Sequence, residues 1–335
     1  MQKKSIMVVV AAISALTYAS GAASAKQILP LHEKTEVTTI TTAVTGLQIT
    51  GEATKIKVVV GSSTVVTAHK GWNFSEPTTK VTVSRGIVTI DAQCNEKLIG
   101  PVYVSVGAND CYNEVTVTVP ATVAVSALTS NGPITTAGLN GGQTLHSGSG
   151  DVDVRDARGG SIIATSGYGA VSLTAADLRN ATLHSDSGDV TVNGLRVGQL
   201  AADTGYGSVR ITNASTSAVA ANTGSGDVNL TGVSATIAQG HSDYGVLVVT
   251  DSRFERAKFT NTSGDVDITV KSIPTSLTMT SGNGMVNATV PKAVYDVRAT
   301  SNNGTVSIKN LVNRSKAPRH IRAHTDSGDV SIIGA

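Results

Sequence analysis

Along this chain, short runs of alternating apolar and polar residues are separated by small-polar turns that close on Gly-x-Val. In the unit SGDVDVRDARGGSIIATSG, Val152 and Val154 alternate with Asp151, Asp153 and Arg155. That period of two predicts a half-buried strand. Arg158-Gly159-Gly160 then turns the chain, and Ser161 to Thr165 forms a second strand. Val190/Val192, Val209/Ile211, Val228/Leu230 and Val266/Ile268 repeat the inward-pointing pair in later units.

The turn glycines are Gly132, Gly150, Gly169, Gly188, Gly207, Gly226, Gly245, Gly264, Gly284, Gly304 and Gly328. The six steps from Gly150 to Gly264 are each 19 residues, flanked by steps of 18, 20, 20 and 24. A fixed period of this kind marks a repeat architecture in which each unit buries its apolar face on its neighbours. Nineteen residues at ~3.3 Å each give a contour of roughly 60 Å, enough for a flattened coil with faces about 10 Å apart. The predicted fold is therefore all-β: a parallel β-solenoid, similar to a single-stranded β-helix, with repeats of about 19 residues.

A second period overlies the first. Asp151, Asp189, Asp227 and Asp265 follow their glycines at intervals of 38, and Tyr168, Tyr206 and Tyr244 precede theirs in the intervening units. A 19-residue coil with alternating rungs and a 38-residue coil both fit. The smaller coil places neighbouring Asp residues about 9.5 Å apart, whereas the larger stacks like charges at ~4.8 Å, so the smaller is preferred.

The run VTVTVP (Val115 to Pro120), the segment LTSNGPITTAGL (Leu128 to Leu139) and the repeated SGDV turns resemble a bacterial β-strand-repeat family that carries the label "putative adhesin". The resemblance spans roughly Leu47 to the C-terminus. It implies an exported or envelope-associated β-solenoid domain of unknown function, and it transfers no functional residues.

Residues 1–25 read as a signal peptide: Lys3 and Lys4, an apolar run from Ile6 to Leu16, and Ala23-Ser24-Ala25 before Lys26. The apolar run is far shorter than the ~20 residues of a membrane span, and no transmembrane anchor is expected in the mature chain. Export to the periplasm, the extracellular space or the cell envelope follows. Loss of the signal removes two bases and no acid, taking Lys+Arg from 26 to 24 against Asp+Glu 24. A neutral chain with dispersed charge lacks the footprint of a nucleic-acid binder. In an oxidising compartment Cys94 and Cys111 are expected to pair.

Residues 26–125 hold the only Trp (Trp72), both cysteines and longer strand-like runs at Lys55 to Val60, Lys80 to Ser84 and Pro101 to Val106. They are expected to form an N-terminal β cap, with the repeat domain over 126–335. Near the other end, the insertion from Lys309 to His320 is rich in Lys, Arg and Pro, which suits an edge guard; an anionic surface is its other possible partner.

The candidate sites are columns of the repeat. The Asp column could bind calcium or accept backbone N–H groups, and the ligand-rich turns that calcium needs are missing. His146, His184, His241 and His324 all stand four before a repeat glycine, at a spacing too wide to share one metal. His320 and His324 are four apart, about 13 Å on a strand. No metal site or cofactor is implied. Tyr168, Tyr206 and Tyr244 form a row at one turn edge, able either to stack on the sugar rings of an extended glycan or to pack on the turn below.

No nucleophile elbow, metalloprotease helix or phosphate loop is present. The reading is a non-catalytic exported solenoid presenting a repetitive surface to a polysaccharide or cell-surface partner. Its rival is a polysaccharide-processing β-helix enzyme, a lyase or glycosidase, which would need one deep cleft with two carboxylates roughly 5–9 Å apart. An ice-binding surface would need a Thr-x-Thr array in every coil, and the outward positions here are mixed.

Overall fold

The computed structural model describes residues 10–13, 32–73, 75–94 and 111–335. It is all-β, with no helix among the described residues. The expected signal segment and the run Pro101 to Val106 lie outside the described residues. The exception is Val10–Ile13, which pairs antiparallel with His32–Ile40. The chain divides into two compact units, Met1–Asp153 and Val154–Ala335. The expected boundary at 125/126 thus falls inside the first unit. The reason is pairing: Ala124–Thr129 lies on Gly46–Gly51, and Ile134–Ala137 lies on Thr54–Val60.

In the first unit the strand Gly46–Gly51 sits in parallel between Ile87–Gln93 and Ala124–Thr129. Thr54–Val60 sits likewise between Tyr112–Val119 and Ile134–Ala137. An early rung is therefore sandwiched between two later ones. Outside it the pairing turns antiparallel, with Thr64–Trp72 on Tyr112–Val119 and His32–Ile40 on Thr64–Trp72. Alternation decides which side is dry: Tyr112–Val119 buries every second residue, leaving Val115, Val117 and Val119 fully covered. Cys94 and Cys111 form a disulfide that closes the segment between them.

The second unit repeats one device. Val171–Ser185, Val190–Thr204 and Val209–Thr223 pair in parallel, with Val171 opposite Val190 and Val190 opposite Val209, a shift of 19 residues at each step. One rung contributes Val190, Val192, Leu195, Val197, Leu200 and Ala202 to the interior, all nearly inaccessible to solvent. The Arg158-Gly159-Gly160 turn is present, with Gly159 at φ 72°, and a further bend precedes it. Asp156, Ala175, Gly194, Asn213, Gly232 and Asp251 occupy one column and all have positive φ, between 53° and 67°. Asn, Asp and Gly tolerate that left-handed corner; Ala175 adopts it at a steric cost.

The repeat glycines serve a different end from supplying turn freedom. A Cβ on Gly188, Gly207, Gly226 or Gly245 would run into the carbonyl of the repeat glycine one rung before it. Three residues earlier in each unit stands a buried hydroxyl or amide: Ser185, Thr204, Thr223, Ser242, Asn261 or Ser281. Ser242 Oγ donates to the Gly226 carbonyl at 2.9 Å and accepts the Gly245 N–H at 2.9 Å. Ser185, Thr204 and Thr223 make the same two bonds at 2.7–3.2 Å. Each hydroxyl satisfies two backbone groups that the turn would otherwise bury unpaired.

Rung order departs from chain order at the C-terminal end. His320–Ser327 inserts between Ser276–Asn283 and Val294–Asn303, pairing in parallel with both. Val330–Gly334 likewise separates Val286–Val290 from Val306–Lys309. The hydroxyl pattern follows space: Thr325 donates to Gly284, and Ser301 donates to Gly328. The last segment of the chain thus fills an inner layer.

Replacing Ser242 by Ala orphans one buried carbonyl and one N–H, and should lower the unfolding free energy by about 1–3 kcal/mol. The exposed Ser225→Ala should stay within about 0.5 kcal/mol of the parent in the same denaturant titration. Equal stability of the two variants would remove the hydroxyl column from the account.

Candidate functional site

Because the hydroxyl three before the glycine points inward, the residues on either side of it point out. The result is a set of parallel outward columns along each turn edge of the second unit. Tyr168, Tyr206 and Tyr244 occupy the position before the glycine and are 74%, 74% and 71% exposed. Ser187, Ser225 and Ser263 fill the same column in the rungs between. With a 19-residue shift per rung the tyrosines stand on every second rung, about 9.5 Å apart. At that exposure the rings are not buried on the turn below.

The neighbouring column, four before the glycine, is polar. His184 lies opposite Asp203, Asp203 opposite Asn222, and Asn222 opposite His241. Asn222 Nδ2 donates to Asp203 Oδ1 at 2.6 Å, and His241 Nδ1 lies 3.0 Å from Thr260 Oγ1. Three histidines also face a carboxylate two residues on: His184 to Asp186 at 3.0 Å, His241 to Asp243 at 3.1 Å and His324 to Asp326 at 3.2 Å. His146 lies on the strand Gln143–Ser147, in the first unit.

These tripeptides, His184-Ser185-Asp186 and His241-Ser242-Asp243, bring serine, histidine and carboxylate together in sequence. They do not build a nucleophilic triad. The serine faces the interior, where its hydrogen donates to a glycine carbonyl, while the histidine and carboxylate meet on the outer surface.

The Asp column is occupied by backbone. Asp189 Oδ1 accepts the Ser208 N–H, Asp227 the Val246 N–H and Asp265 the Met285 N–H, all at 2.8 Å. Each reaches across to the following rung. Asp329 does the same for Thr305, and this hydrogen bond holds its carboxyl below the usual carboxylate range. No cluster of three or more His, Cys, Asp or Glu fit to hold a metal occurs among the described residues.

The first unit carries an open groove of about 330 Å³ lined by Glu36, Lys70, Glu76 and Pro77 to Lys80. Its carboxylates are held by ammonium groups. Glu36 meets Lys70 at 2.6 Å and Lys34 at 2.9 Å, and Glu76 meets Lys34 at 2.8 Å. Burial disfavours the Glu36 anion, but hydrogen bonds from Lys70 and Lys34 overcome this and hold its pKa below the ordinary value. Nearby, burial and then Glu33 push the Tyr112 hydroxyl up to about 12. The groove is lined by an ion-pair network of Glu36, Lys70, Lys34 and Glu76.

The outward tyrosines and histidines were readable from the repeat alone. The inward Ser/Thr column was not, since those residues read as ordinary turn composition. Its signal was present: a small hydroxyl or amide stands three before the glycine in unit after unit.

A family model described as Toastrack DUF4097 matches residues 44–333 of this chain. Among solved structures, a "putative adhesin" from Parabacteroides merdae is 12% identical, with 90% of this chain and 95% of that chain covered and a TM-score of 0.41. A second, from Parabacteroides distasonis, is 13% identical, with 90% and 96% covered and a TM-score of 0.41. A "Putative lipid binding protein" from Parabacteroides distasonis is 10% identical, with 90% and 96% covered and a TM-score of 0.35. No curated protein matches the chain.

A depressed glutamate pKa stabilises the fold above the ordinary value of about 4.3 and is lost as pH falls through the lower folded value. Glu36→Gln should therefore be most destabilising at neutral pH, the gap to the parent narrowing below about pH 4 in parallel denaturant titrations. A pH-independent gap would show that the Glu36 charge is not what holds Lys70.

Proposed function

The chain belongs to the Toastrack DUF4097 family, and we propose that it is an exported, non-catalytic parallel β-solenoid that presents a repetitive surface to an extended glycan of the cell envelope. In this reading residues 1–25 are a cleaved signal, and the Gly-x-Val repeats form coils of about 19 residues. The mature protein works in the periplasm or outside the cell. No helix among the described residues is long and apolar enough to cross a membrane, and the disulfide between Cys94 and Cys111 suits an oxidising compartment.

The observation that carries the reading is the row of Tyr168, Tyr206 and Tyr244, each more than 70% exposed and separated by a serine-bearing rung. A tyrosine left in water on a short turn offers an apolar face for the C–H side of a sugar ring and a hydroxyl for its rim. Beside it, Asp203, Asn222 and the histidines supply donors and acceptors that sugar hydroxyls can use. A spacing of two rungs approximates the repeat of a disaccharide in an extended β-linked chain. Weak contacts repeated along one polymer add through effective concentration, so no single pocket is required.

The test is a glycan and cell-wall binding screen of residues 26–335 beside the triple variant Tyr168→Ala, Tyr206→Ala, Tyr244→Ala. Three lost stacking contacts of about 0.5–1.5 kcal/mol each should weaken binding by at least tenfold. Exposed side chains at turns should leave the unfolding midpoint near that of the parent. Full retention of binding by the triple variant would reject the tyrosine row as the contact surface.

A further inference from the structure

We propose that the outermost C-terminal rung of the second unit is a docking surface for an anionic lipid bilayer. The rung consists of Val294–Asn303 and Val306–Lys309, displaced to the end of the stack by the inserted terminal segment. On its outer side only Val312–Asn313 pairs with it, at Val294 and Tyr295. Among the described residues no strand covers the outer edge of Val306–Lys309.

The exposure of this rung is selective. Val306 and Ile308 hold the repeat positions that are fully buried as Val190/Val192, Val209/Ile211 and Val228/Leu230. Here they are 44% and 37% exposed, and Val312 beside them is 57% exposed. Core-type side chains therefore face solvent. The segment from 292 to 322 that holds them also carries Lys292, Arg298, Lys309, Arg314, Lys316, Arg319 and Arg322, with Asp296 its one acid. Asp296 is already engaged by Arg322 at 2.9 Å, with His320 at 3.5 Å and Arg298 at 3.9 Å. Lys309, Arg314 and Lys316 are exposed and form no ion pair among the described residues. The chain as a whole nearly balances, with Lys+Arg 26 against Asp+Glu 24, so the excess of bases is local.

Exposed bases adjacent in the chain to exposed aliphatic side chains, as Lys309 is to Ile308, suit an interface that is anionic at its surface and apolar a few ångströms deeper. Edge protection alone would need the charges but gains nothing from Val306, Ile308 and Val312 in water. A soluble polyanion would use the bases and leave the aliphatic residues idle. A second copy docking through the same rung would bring like charges together, and Lys309 on the open strand opposes edge-to-edge pairing.

Flotation of the chain from Lys26 with vesicles of pure phosphatidylcholine, and of phosphatidylcholine mixed with phosphatidylglycerol, tests this. Binding is expected to the mixed vesicles alone and to weaken with salt. The variant Lys309→Ala, Arg314→Ala, Lys316→Ala should lose affinity on the order of a hundredfold. Val306→Ser, Ile308→Ser, Val312→Ser should also weaken it, and a thermal midpoint near that of the parent certifies each fold. Equal binding to both vesicle types, or no effect of the alanine variant, overturns the proposal. So does an intact response of the serine variant, which would indicate a soluble polyanion site, or a dimer in sedimentation that the variants dissolve with no vesicle binding. Tyr168→Ala, Tyr206→Ala, Tyr244→Ala should leave vesicle binding unchanged, separating this surface from the glycan reading.

Discussion

Close approach of successive glycine turns, bridged by a buried hydroxyl, is the contact from which the second unit is built. Without a Cβ at Gly207 the backbone comes against Gly188, and Thr204 ties the two together by donating to the Gly188 carbonyl while accepting the Gly207 N–H. Either element alone fails. A glycine stack without the hydroxyl buries unpaired polar groups, and a hydroxyl without the glycine cannot reach. The apolar interior contributes more free energy in total, at about 1.5–3 kcal/mol for each fully buried aliphatic side chain. It is, however, tolerant of register, since Val, Ile and Leu rungs are nearly interchangeable. The hydroxyl is not, because a slip of one residue would turn it to solvent.

That registration places the surface chemistry. With the hydroxyl fixed inward, the positions one and four before the glycine are set on the outer side, and every unit places its outward residues at the same height on the edge. The exposed tyrosines align because the turns beneath them align, not because they touch one another. The same logic explains why the His-Ser-Asp tripeptides are inert as triads: strand alternation sends the middle residue to the opposite face. What remains outside is a polar ladder beside an aromatic row.

Much of this was legible in the chain. The constant step between Gly150 and Gly264, the alternation around Val152 and Val154, and the pairing of Cys94 with Cys111 follow from spacing and compartment. The order of rungs was not legible. Val306/Ile308 and Val330/Ile332 carry the same apolar pattern, so either pair could be the outer layer, and only the pairing of Val330 with both Val286 and Val306 shows which it is. Ser242 and Thr223 were hidden for another reason: a buried hydroxyl and a solvated one have the same letter, and only the burial of the alternate residues tells them apart. The bend at Ala175 was missed because the paired glycines at Gly159 and Gly160 gave a stronger turn signal nearby.

The alternation of rung types has an electrostatic consequence along the Asp column. A carboxylate at Asp189 accepts the N–H of Ser208 on the next rung, and Asp227 accepts that of Val246. Were every rung to carry Asp there, like charges would stack about 4.8 Å apart at the turn edge and repel. Leaving every second rung without Asp doubles that distance to about 9.5 Å, near the Debye length in physiological salt. Three of the rungs without Asp carry Tyr168, Tyr206 or Tyr244 before the glycine and Ala170, Ser208 or Val246 after it, while those at Gly284 and Gly304 carry Asn283 and Asn303 instead. Charge spacing along the stack therefore leaves every second rung free to place an uncharged residue after its glycine, and in three of them a large ring before it.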